Sequence, residues 1–177
     1  MQTASGRQFW PMAPRPEEIF IDDIAHALSM LCRFGGHCLR FYSVAEHCVL
    51  MARSVTPKNR LWALLHDASE AYLVDVPRPI KPFLDGYVEA ESLLMRAVCD
   101  RFGLPHEMPA EVKAADNAIL FDERAQNMAP WPAEWDFTVD PLGVGLQFWT
   151  PEEARRAFLS EFRRVSINEK AETSATA

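Results

Sequence analysis

The chain has 177 residues, 49% of them hydrophobic and 24% charged, which is enough for one globular domain with a substantial core. Acidic residues outnumber basic ones by 25 to 18, and the formal net charge of −7 argues against a broad surface for DNA or RNA while leaving a small anionic ligand open. No stretch approaches the roughly 18 apolar residues that span a bilayer, and residues 1–7 lack the basic-then-apolar order of a secretory signal, so neither a membrane nor export is expected and the expected location is the cytoplasm.

Taken in chain order, Pro11, Pro14 and Pro16 make residues 1–16 an extended arm. Ile21, Ile24, Ala25 and Leu28 then mark the apolar face of a helix from about Glu17 to Cys32, which Gly35 and Gly36 end. Ser43, with Glu46 three residues on, has the pattern of a capping box opening a second helix. A third begins near Pro57 and runs through Leu61, Leu64 and Leu65, before Pro77, Pro79 and Pro82 break the chain. A fourth covers about Asp85 to Phe102 and a fifth about Ala110 to Asn127. Residues 128–149 hold three prolines and three tryptophans without a period, a loop long enough to imply a lid, an interface or a satellite core. Thr150-Pro151-Glu152-Glu153 opens a last helix, expected to end near Val165 before a disordered tail over 166–177. With no repeat and no alternating strand, the expected fold is all-α, one compact bundle over 17–165.

Ionisable residues interrupt three of these apolar faces. His47 lies on the face built by Val44, Cys48, Met51 and Val55; His66 and Asp67 follow Leu61 and Leu65; Asp116 shares a face with Val112, Ala115 and Ile119. Burying an unpaired carboxylate costs several kcal/mol or forces it to take up a proton. Two imidazoles and two carboxylates in one small core are better explained by a divalent cation. Mixed His and Asp ligation suits a transition metal (Mn, Co, Fe, Zn or Ni) better than calcium. Each residue alone has a plainer reading, a hydrogen-bonded core histidine or a paired surface aspartate; the adjacent His66-Asp67 pair is what favours a metal. Cys32, Cys38, Cys48 and Cys99 form no CxxC pair and no zinc-ribbon spacing, and the three in helical patterns read as small buried hydrophobes; His26 and His106 read as structural or surface residues.

The ordered set His47, His66-Asp67 and Asp116 resembles the H…HD…D ligand pattern of the HD superfamily of metal-dependent phosphohydrolases. The segment from Tyr42 to His47, His66 to Glu70 with Asp75 and Pro79-Ile80-Lys81, and Val112 to Asp116 are similar to the 5'-deoxynucleotidase branch and its prophage- and phage-encoded relatives. Together they anchor about residues 17–125. The resemblance implies an HD-type helical domain with a site in which Glu70 and Asp75 orient or activate water or protonate the leaving oxygen. It implies a phosphate-gripping Arg33, a Phe34 packed against deoxyribose where the branch commonly has Trp, and Lys81 as a second phosphate contact; Arg78 is a third candidate that otherwise reads as surface. A second cation such as Mg is compatible with it. His37, after two glycines, either contacts phosphate or base or ends the preceding helix near its negative pole. The implied activity is 5'-dephosphorylation of 2'-deoxynucleoside monophosphates, by an enzyme that forms a homodimer or larger homo-oligomer. The alternatives are a deoxynucleoside triphosphate triphosphohydrolase using the same site, and a non-catalytic nucleotide- or protein-binding module.

Overall fold

A computed structural model describes residues 1–130 and 139–175, with side chains described through Ile167. The chain is all-α, and no strand occurs among the described residues. Among the described residues seven α-helices follow in order: α1 Ile21–Met30, α2 Val44–Ser54, α3 Arg60–Leu65, α4 Glu70–Leu73, α5 Tyr87–Phe102, α6 Ala110–Asn127 and α7 Pro151–Ala175. None is long and apolar enough to cross a membrane.

Helix α2 is the centre of the bundle. Val44 through Ala52 are all buried, and the helix packs against α1, α3, α6 and α7. Apolar side chains on every side leave a helix nowhere to go but inside. Its N-terminus is capped as the sequence predicts, Glu46 N–H donating to Ser43 Oγ at 3.1 Å, but the Glu46 carboxylate does not reach back to complete a capping box. It accepts the backbone N–H groups of Gln147 (2.6 Å), Phe148 (2.9 Å) and Trp149 (2.7 Å) instead. A fully buried carboxylate gains more from three donors than from the one that a capping box offers. This clamp holds the end of the proline- and tryptophan-rich loop on α2. Asp122 and Gln126 of α6 add further bonds to the N–H groups of Gly143 and Leu146. Trp149 packs half-buried against the main core; Trp131 and Trp135 lie outside the described residues. Glu46→Ala is expected to lower stability by about 1–3 kcal/mol, since it removes the shared acceptor of three part-buried N–H groups. A denaturant midpoint measures the loss, and unchanged hydrogen-exchange protection at 147–149 would count against the clamp.

Several boundaries differ from the sequence reading. A 3-10 turn at Pro16–Glu18 and an extended Phe20 precede α1, which is therefore shorter than expected. Cys32 accordingly lies outside the helix. The N-terminal arm is not helical, yet it folds back on itself, pairing Gln2 with Gln8 and burying Phe9 on Tyr72 at a ring separation of 4.2 Å. Helix α7 runs past Val165 to Ala175, where Glu169, Lys170 and Ala171 are good helix formers and no breaker intervenes. At its start, Thr150 Oγ1 accepts from Glu153 N–H while the Glu153 carboxylate accepts from Thr150 N–H, the reciprocal cap that the sequence predicts.

Candidate metal centre

His66 and Asp67 lie in the turn that joins α3 to α4, not inside a helix. The bonds there run from Ala68 to Leu65, Glu70 to Asp67 and Tyr72 to Ser69, an i to i+3 winding. His66 and Asp67 both reach His47 on α2 from this turn. His47 Nε2 stands 3.2 Å from His66 Nε2 and 3.6 Å from Asp67 Oδ2; His66 Nε2 is 3.2 Å from the same oxygen. These three ligand atoms all lie within 4.8 Å of one another, a group that can hold a metal ion. Asp116 on α6 completes the expected set, its Oδ1 being 3.5 Å from His47 Nε2 and 3.8 Å from His66 Nε2.

The hydrogen bonds behind the ligands test whether a cation fits. His66 Nδ1 lies 2.8 Å from the Ala63 carbonyl, and His47 Nδ1 lies 2.7 Å from Glu123 Oε1. Both partners are acceptors, so both Nδ1 atoms carry protons. In the neutral rings both Nε2 lone pairs then face each other and two carboxylates. Only a positive charge, a proton or a metal ion, reconciles that arrangement. The ligand carboxylates answer to the same field: their imidazole neighbours hold Asp116 down at about 2 and Asp67 well below the usual carboxylate range, against the opposing effect of burial.

Two further carboxyls border the ligands and behave oppositely. Glu70, at the start of α4, is buried, and its Oε2 has no hydrogen-bond partner among the described residues. Desolvation first, then the charges of Asp67 and Asp75, push it up to about 10. Asp75 is half-buried and is also raised, again mainly by desolvation. Between them Val74 has φ 63° and ψ 161°, a region that a β-branched residue rarely enters. This residue ends α4 and turns the chain so that Asp75 comes within the field of Asp67, Arg33 and His47.

The expected phosphate contacts are already engaged. Arg33 is buried, with Nε and one terminal nitrogen each 3.2 Å from the Glu123 carboxylate and the other 3.6 Å from Asp67 Oδ2. Lys81 pairs with Glu91 at 2.7 Å and feels the charges of Glu70 and Asp67. Phe34, half-buried, has φ 57°, and the Arg33 guanidinium lies 5.4 Å from its ring centre. His37 is exposed, and no hydrogen bond or ion pair joins its imidazole to the ligands among the described residues. Arg78, read as a surface residue, reaches Asp116 Oδ2 at 3.4 Å. A separate cavity of about 320 Å³ between the N-terminal arm, α1 and α4 contains none of the expected site residues.

No family model matches the chain. Curated relatives do: it is 41% identical over 176 residues to the uncharacterized protein YfdR of Escherichia coli, a match covering 94% of this chain and 98% of that one. The chain belongs to the YfdR family. An uncharacterized protein of Rhodobacter capsulatus is 38% identical over 174 residues, covering 87% of this chain and 89% of its own. Near full-length coverage means that the bundle and all four candidate ligands fall within the span of the YfdR-family likeness.

Sequence reasoning missed one residue of this candidate site. Glu123, fully buried on α6, bonds His47 and Arg33 at once and stands beside the Tyr42 phenol. Arg33 and His47 hold it below the usual carboxylate range despite its burial, so it is an anion at neutral pH. It lies seven residues after Asp116, two turns along the same helix face, and that spacing was the available signal.

Proposed function

We propose that the chain is a divalent-metal-dependent phosphohydrolase of HD type acting on small nucleotides, with 2'-deoxynucleoside 5'-monophosphates as the preferred substrate class. The observation that carries this reading is the convergence of His47, His66, Asp67 and Asp116, with both Nδ1 atoms already committed to acceptors. When bound, a divalent transition ion supplies Lewis acidity, acidifying water and neutralising charge on phosphoryl oxygens. Glu70, whose carboxyl burial and the charges of Asp67 and Asp75 raise, donates a proton to the departing 5'-oxygen. Asp75, less strongly raised, accepts the proton of the attacking water. Arg33 and Lys81 flank the phosphate.

Arg33, Arg78 and Lys81 all pair with carboxylates of the chain itself. A triphosphate brings several more negative charges than these shared cations can balance, and the monophosphate is therefore preferred over the triphosphohydrolase reading. The decisive experiment is a product assay with Mn²⁺ or Co²⁺ on deoxy- and ribonucleoside mono-, di- and triphosphates, with the His66→Ala, Asp67→Ala variant as control. Orthophosphate from deoxynucleoside monophosphates is the expected result. Intact triphosphate would transfer the reading to the triphosphohydrolase, and silence with metal demonstrably bound would sink both in favour of a binding module.

A further inference from the structure

The turn that carries Arg33 and Phe34 is bounded by two cysteines. Cys32 and Cys38 are free thiols, each half-buried, with their sulfurs 3.4 Å apart. Phe34, Gly35 and Gly36 successively take φ of 57°, 58° and 81°, the left-handed region, and so turn the chain back on itself. Both ends of the turn are pinned: Arg33 N–H donates to the Tyr42 carbonyl at 2.9 Å and Leu39 N–H to the Asn127 carbonyl at 2.8 Å. The two sulfurs therefore face each other on a fixed frame, and a shift of about 1.4 Å brings them to the S–S bond length. Cys48 and Cys99 are buried and contact no other cysteine sulfur.

We propose that Cys32 and Cys38 form a reversible intramolecular disulfide, a modification site that closes the turn carrying Arg33. The oxidant is a low-molecular-weight disulfide. Burial, together with the neighbouring Cys32 sulfur, pushes the Cys38 thiol up to about 11, so loss of its proton limits its own attack. The Cys32 thiolate displaces one thiolate from the small disulfide and becomes a mixed disulfide. Cys38 then loses its proton to solvent and attacks the Cys32 sulfur, releasing the second small thiolate. Two protein thiols are oxidised to one disulfide, and one small disulfide is reduced to two thiols.

The test uses the folded, full-length chain with glutathione disulfide, followed by alkylation and mass spectrometry. The expected product is about 2 Da lighter than the reduced chain, with one cross-linked peptide joining Cys32 to Cys38 and with Cys48 and Cys99 alkylated only after unfolding. Closure is expected to speed up as pH rises toward the Cys38 range. The Cys38→Ser variant is expected to stop with glutathione on Cys32. Accumulation of glutathione on the wild-type chain without closure would overturn the proposal. So would full alkylation of Cys32 and Cys38 after exposure to the oxidant.

Discussion

Replacing Glu123 by Ala should destabilise the metal-free protein by about 3–5 kcal/mol, the cost of removing one partner from a buried ion pair. Arg33 is left inside the bundle with Asp67 as its remaining counter-ion at 3.6 Å, and His47 loses the acceptor that fixes its tautomer. The effect on the metal is separable. Removing an outer partner of a ligating histidine weakens metal binding by about 10- to 100-fold. Glu123→Gln separates the two roles, because its amide oxygen can still accept from His47 Nδ1 while its NH₂ group faces the donors of Arg33. It should keep more metal affinity than Glu123→Ala and lose part of the stability. Urea unfolding of the metal-free chain and calorimetric titration with Mn²⁺ measure the two quantities. A Glu123→Ala chain with wild-type stability and wild-type affinity would show that the buried bonds of Glu123 carry neither load.

The candidate ligands were legible in the sequence because each is an ionisable residue where an apolar period demands a hydrophobe, and burial makes that conflict costly enough to need a cause. Helix α6 was legible to the residue, since its period runs unbroken from Ala110 to Asn127. Glu123 was not, because Asp122-Glu123-Arg124 reads locally as a charged, solvated run and its partners are 76 and 90 residues away in sequence. The same non-local logic hid the role of Glu46. A capping box is a local pattern, and nothing near Glu46 signals that three N–H groups from residues 147–149 will claim its side chain. The winding that presents His66 and Asp67 together was equally invisible. It depends on an i to i+3 turn following a helix whose periodicity continues smoothly on paper. The position of Asp75 rests on a left-handed Val74, a conformation that no propensity would assign to valine. Expectations taken from the sequence therefore grouped the candidate ligands and left the bonds that aim them unread.

Glu70→Gln should raise stability and lower activity in the same molecule. In the folded chain Glu70 is pushed from an ordinary value of 4.5 up to about 10. Between those two values the unfolded chain releases the proton and the folded chain keeps it, so the folded state binds more protons and stability falls as pH rises. Glutamine has the shape of the protonated acid and never titrates. The variant is therefore expected to unfold much like wild type near pH 4.5, to gain up to about 3 kcal/mol at neutral pH, and to show a flatter stability profile toward pH 10. The proposed reaction has the opposite requirement: glutamine has no proton to give the departing oxygen, and loss of a positioned general acid costs about 10²- to 10⁴-fold in rate. Metal affinity should change little, because Glu70 is not among the ligands. Unfolding of the metal-free variant from pH 4 to 10, beside turnover of the metal-loaded enzyme, separates the two effects. Equal stability profiles for wild type and variant would mean that Glu70 ionises normally, and it would then act as a base or a metal contact rather than as the acid.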